Sequence, residues 1–165
     1  MPAVQDLGLV QIEEDLYKAD LALLDRYQGF SAEVLRLSLV GVAVFGFLLQ
    51  QFDLRAMAPE TRWAAGISIG ALVLSAALSL AHRYFSSDGM FHHLHLLRVC
   101  LLASSKGVEA AAGRFSENDR EMRAKQYKRA WAALGVSSAM LAVGVVALAV
   151  CLLTVLSDPL PFRKG

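Results

Sequence analysis

Residues 63–82 read WAAGISIGALVLSAALSLAH: twenty positions between Arg62 and Arg83 whose only ionisable side chain is His82, at the edge. A helix needs about 20 apolar residues to cross a hydrocarbon core. Residues 130–157, AWAALGVSSAMLAVGVVALAVCLLTVLS, form a second such run of 28 residues, from Arg129 to Asp158. These two stretches decide the fold class. They predict an all-α membrane protein rather than a water-soluble bundle.

Working outward, a shorter apolar block of 16 residues, Leu37 to Phe52, lies between Arg36 and Asp53. At 1.5 Å per residue it falls short of a full core of roughly 30 Å, but Arg36 can snorkel to headgroups at one end. Gln50 and Gln51 belong to the other interface. The expected organisation is a single membrane domain over residues 1–165. An amphipathic cytosolic helix over 7–35 runs directly into a first span over 36–52, and a second span covers 62–84. Ser86-Ser87-Asp88-Gly89 reads as a break, followed by a cytosolic helix over 89–112. A last helix over 117–157, capped at Ser116 with Asp119 three residues on, is cytosolic at its start and continues into the third span from about Ala132 to Leu156. The expected fold is therefore three transmembrane helices plus a small cytosolic helical bundle, built from the N-terminal helix and the connector between the second and third spans.

Composition agrees with this picture. The chain is 56% hydrophobic, with a mean hydropathy of +0.46 and a formal charge of +1, so overall charge points to no nucleic-acid partner. Seven acids precede the first apolar block, unlike the basic start of a cleavable signal peptide. Lys and Arg set orientation. With three spans, the N-terminal segment and the 83–129 connector share a side holding twelve cations, against four on the other. The expected location is the cell membrane, multi-pass, N-terminus cytoplasmic and C-terminus opposite. Trp63, Tyr84, Tyr127 and Trp131 stand where interfacial aromatics belong. Residues 1–36 carry −4 and residues 83–129 carry +4, so the two cytosolic pieces should attract one another.

In the N-terminal helix, Leu9, Ile12, Leu16, Ala19, Leu23, Tyr27, Phe30 and Val34 follow a spacing of three and four, which predicts one apolar stripe. The second span has two faces. Gly66, Gly70, Ala77 and Ala81, matched by Gly135, Ala139 and Ala142 in the third span, are candidates for close helix packing. Ser68, Ser75, Ser79 and His82 lie opposite and are candidate pore-lining residues, with serine bonds to the helix's own carbonyls as the plain alternative. Arg120, Arg123, Lys125, Lys128 and Arg129 lie just before the third span, where cations attract anionic headgroups.

His92 and His95 share a helix face and are weak metal candidates, with Glu13, Glu14 or Asp15 as the nearest conceivable oxygen donors; two imidazoles alone make an incomplete zinc site. Cys100 and Cys151 have no CxxC partner and read as packing residues. The middles of the spans hold no ionisable relay, which disfavours proton-coupled transport. No nucleotide, zinc-protease or serine-hydrolase motif is present. Ser79 and His82 share a face without an orienting acid, which is weak support for an enzyme.

No metal and no cofactor is expected. The expected partners are the lipid bilayer, including anionic lipids, and a second copy of the chain or a membrane or cytosolic protein. The expected function is non-catalytic and works through helix–helix assembly. Its sharper form is an oligomeric pore-forming or membrane-perturbing effector. The alternative is a membrane-anchored sensor or binding module holding a small ligand or metal on its cytosolic helices. The layout of cytosolic helix, hairpin of spans and basic helical connector is similar to that of small bacterial membrane effectors of the SLATT kind, from whose two-span pattern the third span departs.

Overall fold

The computed structural model describes residues 15, 17–51, 58–106 and 109–157. They form three helices: α1 (Lys18–Gln51), α2 (Pro59–Lys106) and α3 (Glu109–Ser157). There is no strand among the described residues. All three helices are long and apolar enough to cross a membrane, as a multi-pass membrane protein requires.

Three helices stand where four were expected. The break at Ser86-Ser87-Asp88-Gly89 is absent, and α2 continues through it to Lys106. Serine, aspartate and glycine are weak helix formers, costing at most about 1 kcal/mol each relative to alanine, and packing overrides a penalty of that size. Here Ser86 is buried, and Gly89 lies against the Tyr127 ring, which a Cβ at residue 89 would approach to 3.1 Å. The helix expected to start at Ser116 instead begins at Glu109, where alanines 110–112 favour the earlier start. Asp119 is consequently ten residues inside α3 and caps nothing. Pro59 opens α2 at the one helical position that tolerates a missing N–H, and Glu60 in the first turn suits the helix dipole.

The chain divides into two compact units, one from Met1–Gly29 and His82–Ala132, the other from Phe30–Ala81 and Ala133–Gly165. Each long helix contributes to both.

The second unit buries small polar side chains and exposes large apolar ones. Among the described residues, the largest side chains with less than 2% exposure are Phe45, Leu72 and six serines, at 31, 38, 68, 75, 79 and 137. Leu39, Phe47, Ile67, Val73, Val146 and Leu153 are all more than half exposed. A water-soluble domain shows the opposite distribution, whereas small residues inside and apolar ones outside suit helices solvated by lipid. Buried positions on α2 step by four and three: Thr61, Ala65, Ser68, Leu72, Ser75, Ser79. On α3 the seven-residue series Ser137, Gly144, Cys151 is buried likewise. This 3.5-residue period is the seam of side-by-side helices. Leu72 is its central knob. A Cβ on Gly41 of α1 would come within 2.9 Å of the Leu72 side chain, and one on Gly144 of α3 within 2.8 Å. Glycine at these two positions is what lets the helices close around a leucine. At one end of the seam, Phe45 joins Ala65, Cys151 and Val155 in an apolar cluster.

The first unit holds the start of α1, the second half of α2 and the first part of α3. Tyr27 meets Trp131 edge-on at 5.2 Å between ring centroids, a geometry that favours aromatic pairs. Gln28 Nε2 donates to Ser87 Oγ at 3.2 Å. The apolar stripe expected on the N-terminal helix holds only in part: Tyr27 is half-buried and Val34 buried, but Ala19, Leu23 and Phe30 are exposed, and Leu24, Gln28 and Ser31 turn inward in their place. The register of an amphipathic helix can slip in this way when the neighbouring seam accepts polar residues. Leu9, Ile12 and Leu16 lie outside the described residues.

Candidate functional site

Two polar constellations stand out, one in each unit. The serine constellation links all three helices of the second unit. Ser38 Oγ of α1 donates to Ser75 Oγ of α2 at 2.9 Å, with the Val34 carbonyl at 2.8 Å as its alternative acceptor. Ser75 Oγ donates to the Ser137 carbonyl at 2.9 Å, and Ser137 Oγ returns a bond to the Ser75 carbonyl at 2.8 Å. Each hydroxyl has a single proton, so the 2.7 Å contact between Ser79 and Ser137 Oγ has Ser79 as donor. Ser68 Oγ donates to the Gly144 carbonyl at 2.9 Å. Nearer the end of the seam, Thr154 Oγ1 donates to the Cys151 carbonyl at 2.8 Å, leaving Thr61 Oγ1 to donate to Thr154 at 3.3 Å.

The hydroxyls of Ser68, Ser75, Ser79 and Ser137 are fully buried and bonded between helices, whereas the plain expectation placed the bonds of the α2 serines on that helix's own carbonyls. Ser68, Ser75 and Ser79, considered as pore-lining, face the neighbouring helices of their own chain. Gly66 and Gly70 lie on the outside, where a Cβ at either would meet nothing within 4 Å. Gly135 is equally free; Ala77, Ala139 and Ala142 are exposed, and Ala81 is half-buried. Among the described residues of the second unit, the close-packing glycines are Gly41 and Gly144, which a search for the GxxxG spacing passes over. The signal that could have found them is the heptad 61-68-75-82 on α2, whose side chains are all small or polar.

The second constellation is built on histidines of the first unit. His82 Nδ1 lies 2.9 Å from the Ala130 carbonyl. A carbonyl only accepts, so Nδ1 carries a proton and donates it; Nε2 lies 3.4 Å from Ser86 Oγ, a weak contact. His82 is therefore a satisfied packing histidine. Ten residues further along α2, His92 Nδ1 and, one turn on, His95 Nδ1 approach the two oxygens of a single carboxylate, Asp119 Oδ1 at 3.0 Å and Oδ2 at 2.7 Å. The Asp119 side chain is 11% exposed. Phe91 covers the pair, stacked on the His95 ring and edge-on to His92.

His93 points to a different set of partners. Arg123 Nη1 donates to its Nδ1 at 2.8 Å. Its Nε2 lies 2.9 Å from Asp20 Oδ2, close, but off the line of a hydrogen bond. Tyr127 belongs to the same neighbourhood. Burial first, then the Asp20 carboxylate, raises its phenol above the ordinary tyrosine value, while Arg123 opposes the shift.

Among the described residues no group of three or more His, Cys, Asp or Glu side chains is placed to hold a metal ion. His92 and His95 are instead engaged by Asp119. Of the suggested oxygen donors, Asp15 is exposed, and Glu13 and Glu14 lie outside the described residues. Of the five cations before the third span, Arg123 turns to His93 and Arg129 lies over the Phe85 ring at 5.8 Å. Arg120, Lys125 and Lys128 are exposed. Trp63, Tyr84 and Trp131 are exposed as interfacial rings would be, but Tyr127 is half-buried over Gly89. Asp119 escaped sequence reasoning because it resembled a helix cap; its real partners are 24 and 27 residues away, a pairing no local pattern encodes.

Comparison with protein-family models, with curated proteins and with solved structures gave no match. The class that the fold itself defines is an all-helical protein with three helices able to span a membrane.

Proposed function

We propose that this chain is a non-catalytic multi-pass protein of the cell membrane that acts by helix–helix assembly with a second copy of itself or with a membrane partner. The oligomeric pore or membrane-perturbing effector is the sharper form of the same reading. One observation carries it. The chain consumes its serine face in its own seam and leaves the Gly66–Gly70 face unpacked. A GxxxG pair allows close backbone approach between helices in lipid, where van der Waals packing drives association. The N-terminus and the first unit lie on the cytoplasmic side in this reading, from the distribution of Lys and Arg. Arg120, Lys125 and Lys128 meet anionic headgroups there.

A single cysteine tests this in native membranes. With Cys100 and Cys151 changed to serine, Gly66→Cys should give an oxidation-dependent dimer that Gly29→Cys, in the first unit, does not give. Equal cross-linking at both positions, or at neither, would refute assembly through this face. Liposome leakage that weakens in Gly66→Leu would add the pore to the assembly; leakage indifferent to that change would remove it.

The buried histidine–carboxylate group favours the sensor or binding-module reading as a second possibility. Its mark is protection from thermal unfolding by a small ligand, lost in the double variant His92→Ala and His95→Ala.

A further inference from the structure

His92, His93 and His95 look alike in sequence, but their hydrogen-bond partners give them opposite responses to acid. A guanidinium can donate but never accept. The Arg123–His93 bond at 2.8 Å therefore requires a lone pair on Nδ1, which places the ring proton on Nε2, close to Asp20 but off the line of a hydrogen bond. A second proton has only Nδ1 to bind. Taking it up from solvent converts the acceptor lone pair into an N–H bond, breaks the Arg123 hydrogen bond and sets an imidazolium against a guanidinium. His92 and His95 already present Nδ1 to the Asp119 carboxylate. Protonation of those rings occurs at Nε2, leaves both donors in place and strengthens them with charge.

We propose that His93 is a proton-operated latch of the first unit: one proton at Nδ1 expels Arg123 of α3 and leaves His93 paired with Asp20 of α1, while Asp119 continues to clamp His92 and His95. The charged and titratable groups facing His93 are Asp20 from α1 and Arg123 and Tyr127 from α3; on its own helix, His92 and His95 are turned to Asp119. The His93 side chain is 13% exposed and that of Asp20 54%. The buried imidazole thus sits between a solvent-screened anion and a cation at contact distance. Released, Arg123 joins the exposed cations Arg120 and Lys125. The latch is independent of assembly and stands whether or not the chain self-associates.

The test uses the full chain in detergent micelles. Histidine-selective 15N NMR at about pH 8, above the range in which imidazole ordinarily changes charge, should show one ring of the cluster bare at Nδ1 and protonated at Nε2, and its signals should vanish in His93→Asn. A protonated Nδ1 at residue 93 overturns the proposal regardless of any variant's folding. Spin labels at Lys18→Cys of α1 and Lys125→Cys of α3, with both native cysteines replaced by serine, then report the latch. Between about pH 8 and about pH 5 their distance distribution should shift in the parent. It should not shift in His93→Asn, which keeps an acceptor near the Nδ1 position but cannot titrate. A parent that does not respond, or a His93→Asn variant that responds equally, overturns it.

Discussion

Ser75 and Ser137 exchange hydrogen bonds reciprocally, each hydroxyl donating to the other residue's backbone carbonyl, at 2.9 and 2.8 Å. The pair ties α2 to α3 where both residues have no exposure at all. Measured side-chain bonds between membrane helices average only about 0.6 kcal/mol and reach about 1.7. The pair therefore fixes register more than it supplies stability.

Ser75→Ala and Ser137→Ala should each destabilise the folded chain by about 1 kcal/mol, and the double variant by less than their sum, because the two changes remove shared bonds. Reversible unfolding in mixed micelles measures this. Strict additivity would mean that the two hydroxyls act separately.

Gly144→Ala should destabilise by about 1–3 kcal/mol despite alanine's better helix propensity, because the new methyl would meet the Leu72 side chain at 2.8 Å and its backbone nitrogen at 3.3 Å. Gly135→Ala, with nothing near it, should be neutral or stabilising. Adding Leu72→Ala should relieve part of the Gly144→Ala cost. Equal melting behaviour of the two glycine variants would contradict the seam.

Asp119→Ala leaves two imidazole donors without their buried acceptor, which costs about 1–3 kcal/mol. Asp119→Asn should be milder near neutral pH, since its amide can accept from one ring and donate to the other. Thermal unfolding of both variants beside wild type measures this. An Asp119→Asn variant less stable than Asp119→Ala would contradict the clamp.

Orientation is testable with a membrane-impermeant maleimide on intact cells, with native cysteines removed. Cysteine at Lys164 should label and cysteine at Arg26 should not. The reverse pattern would overturn the cytoplasmic placement of the N-terminus.

The helices were legible because a charge-free run of 20 residues or more admits few alternatives. Their faces were not. In lipid the interior and exterior of a bundle are both apolar, so hydropathy could not say whether Gly66 or Ser68 faces inward. The seven-residue spacing of Thr61, Ser68, Ser75 and His82 held the answer, as a period rather than as a residue type. The expected break at Ser86–Gly89 misread local propensity as topology, whereas burial of Ser86 and the Tyr127 contact on Gly89 keep α2 helical there. The Asp119 clamp depends on a pairing between α2 and α3 that local signals do not contain.

The most direct test of the central claim is the detergent-corrected mass of the purified chain in a mild detergent, compared with Gly66→Leu/Gly70→Leu. Both positions are open in the single chain, so this double variant should fold and melt like wild type. Assembly predicts a multiple of the 17.9 kDa chain for wild type and a monomer for the variant. A wild-type monomer, or an oligomer untouched by the substitutions, would contradict it.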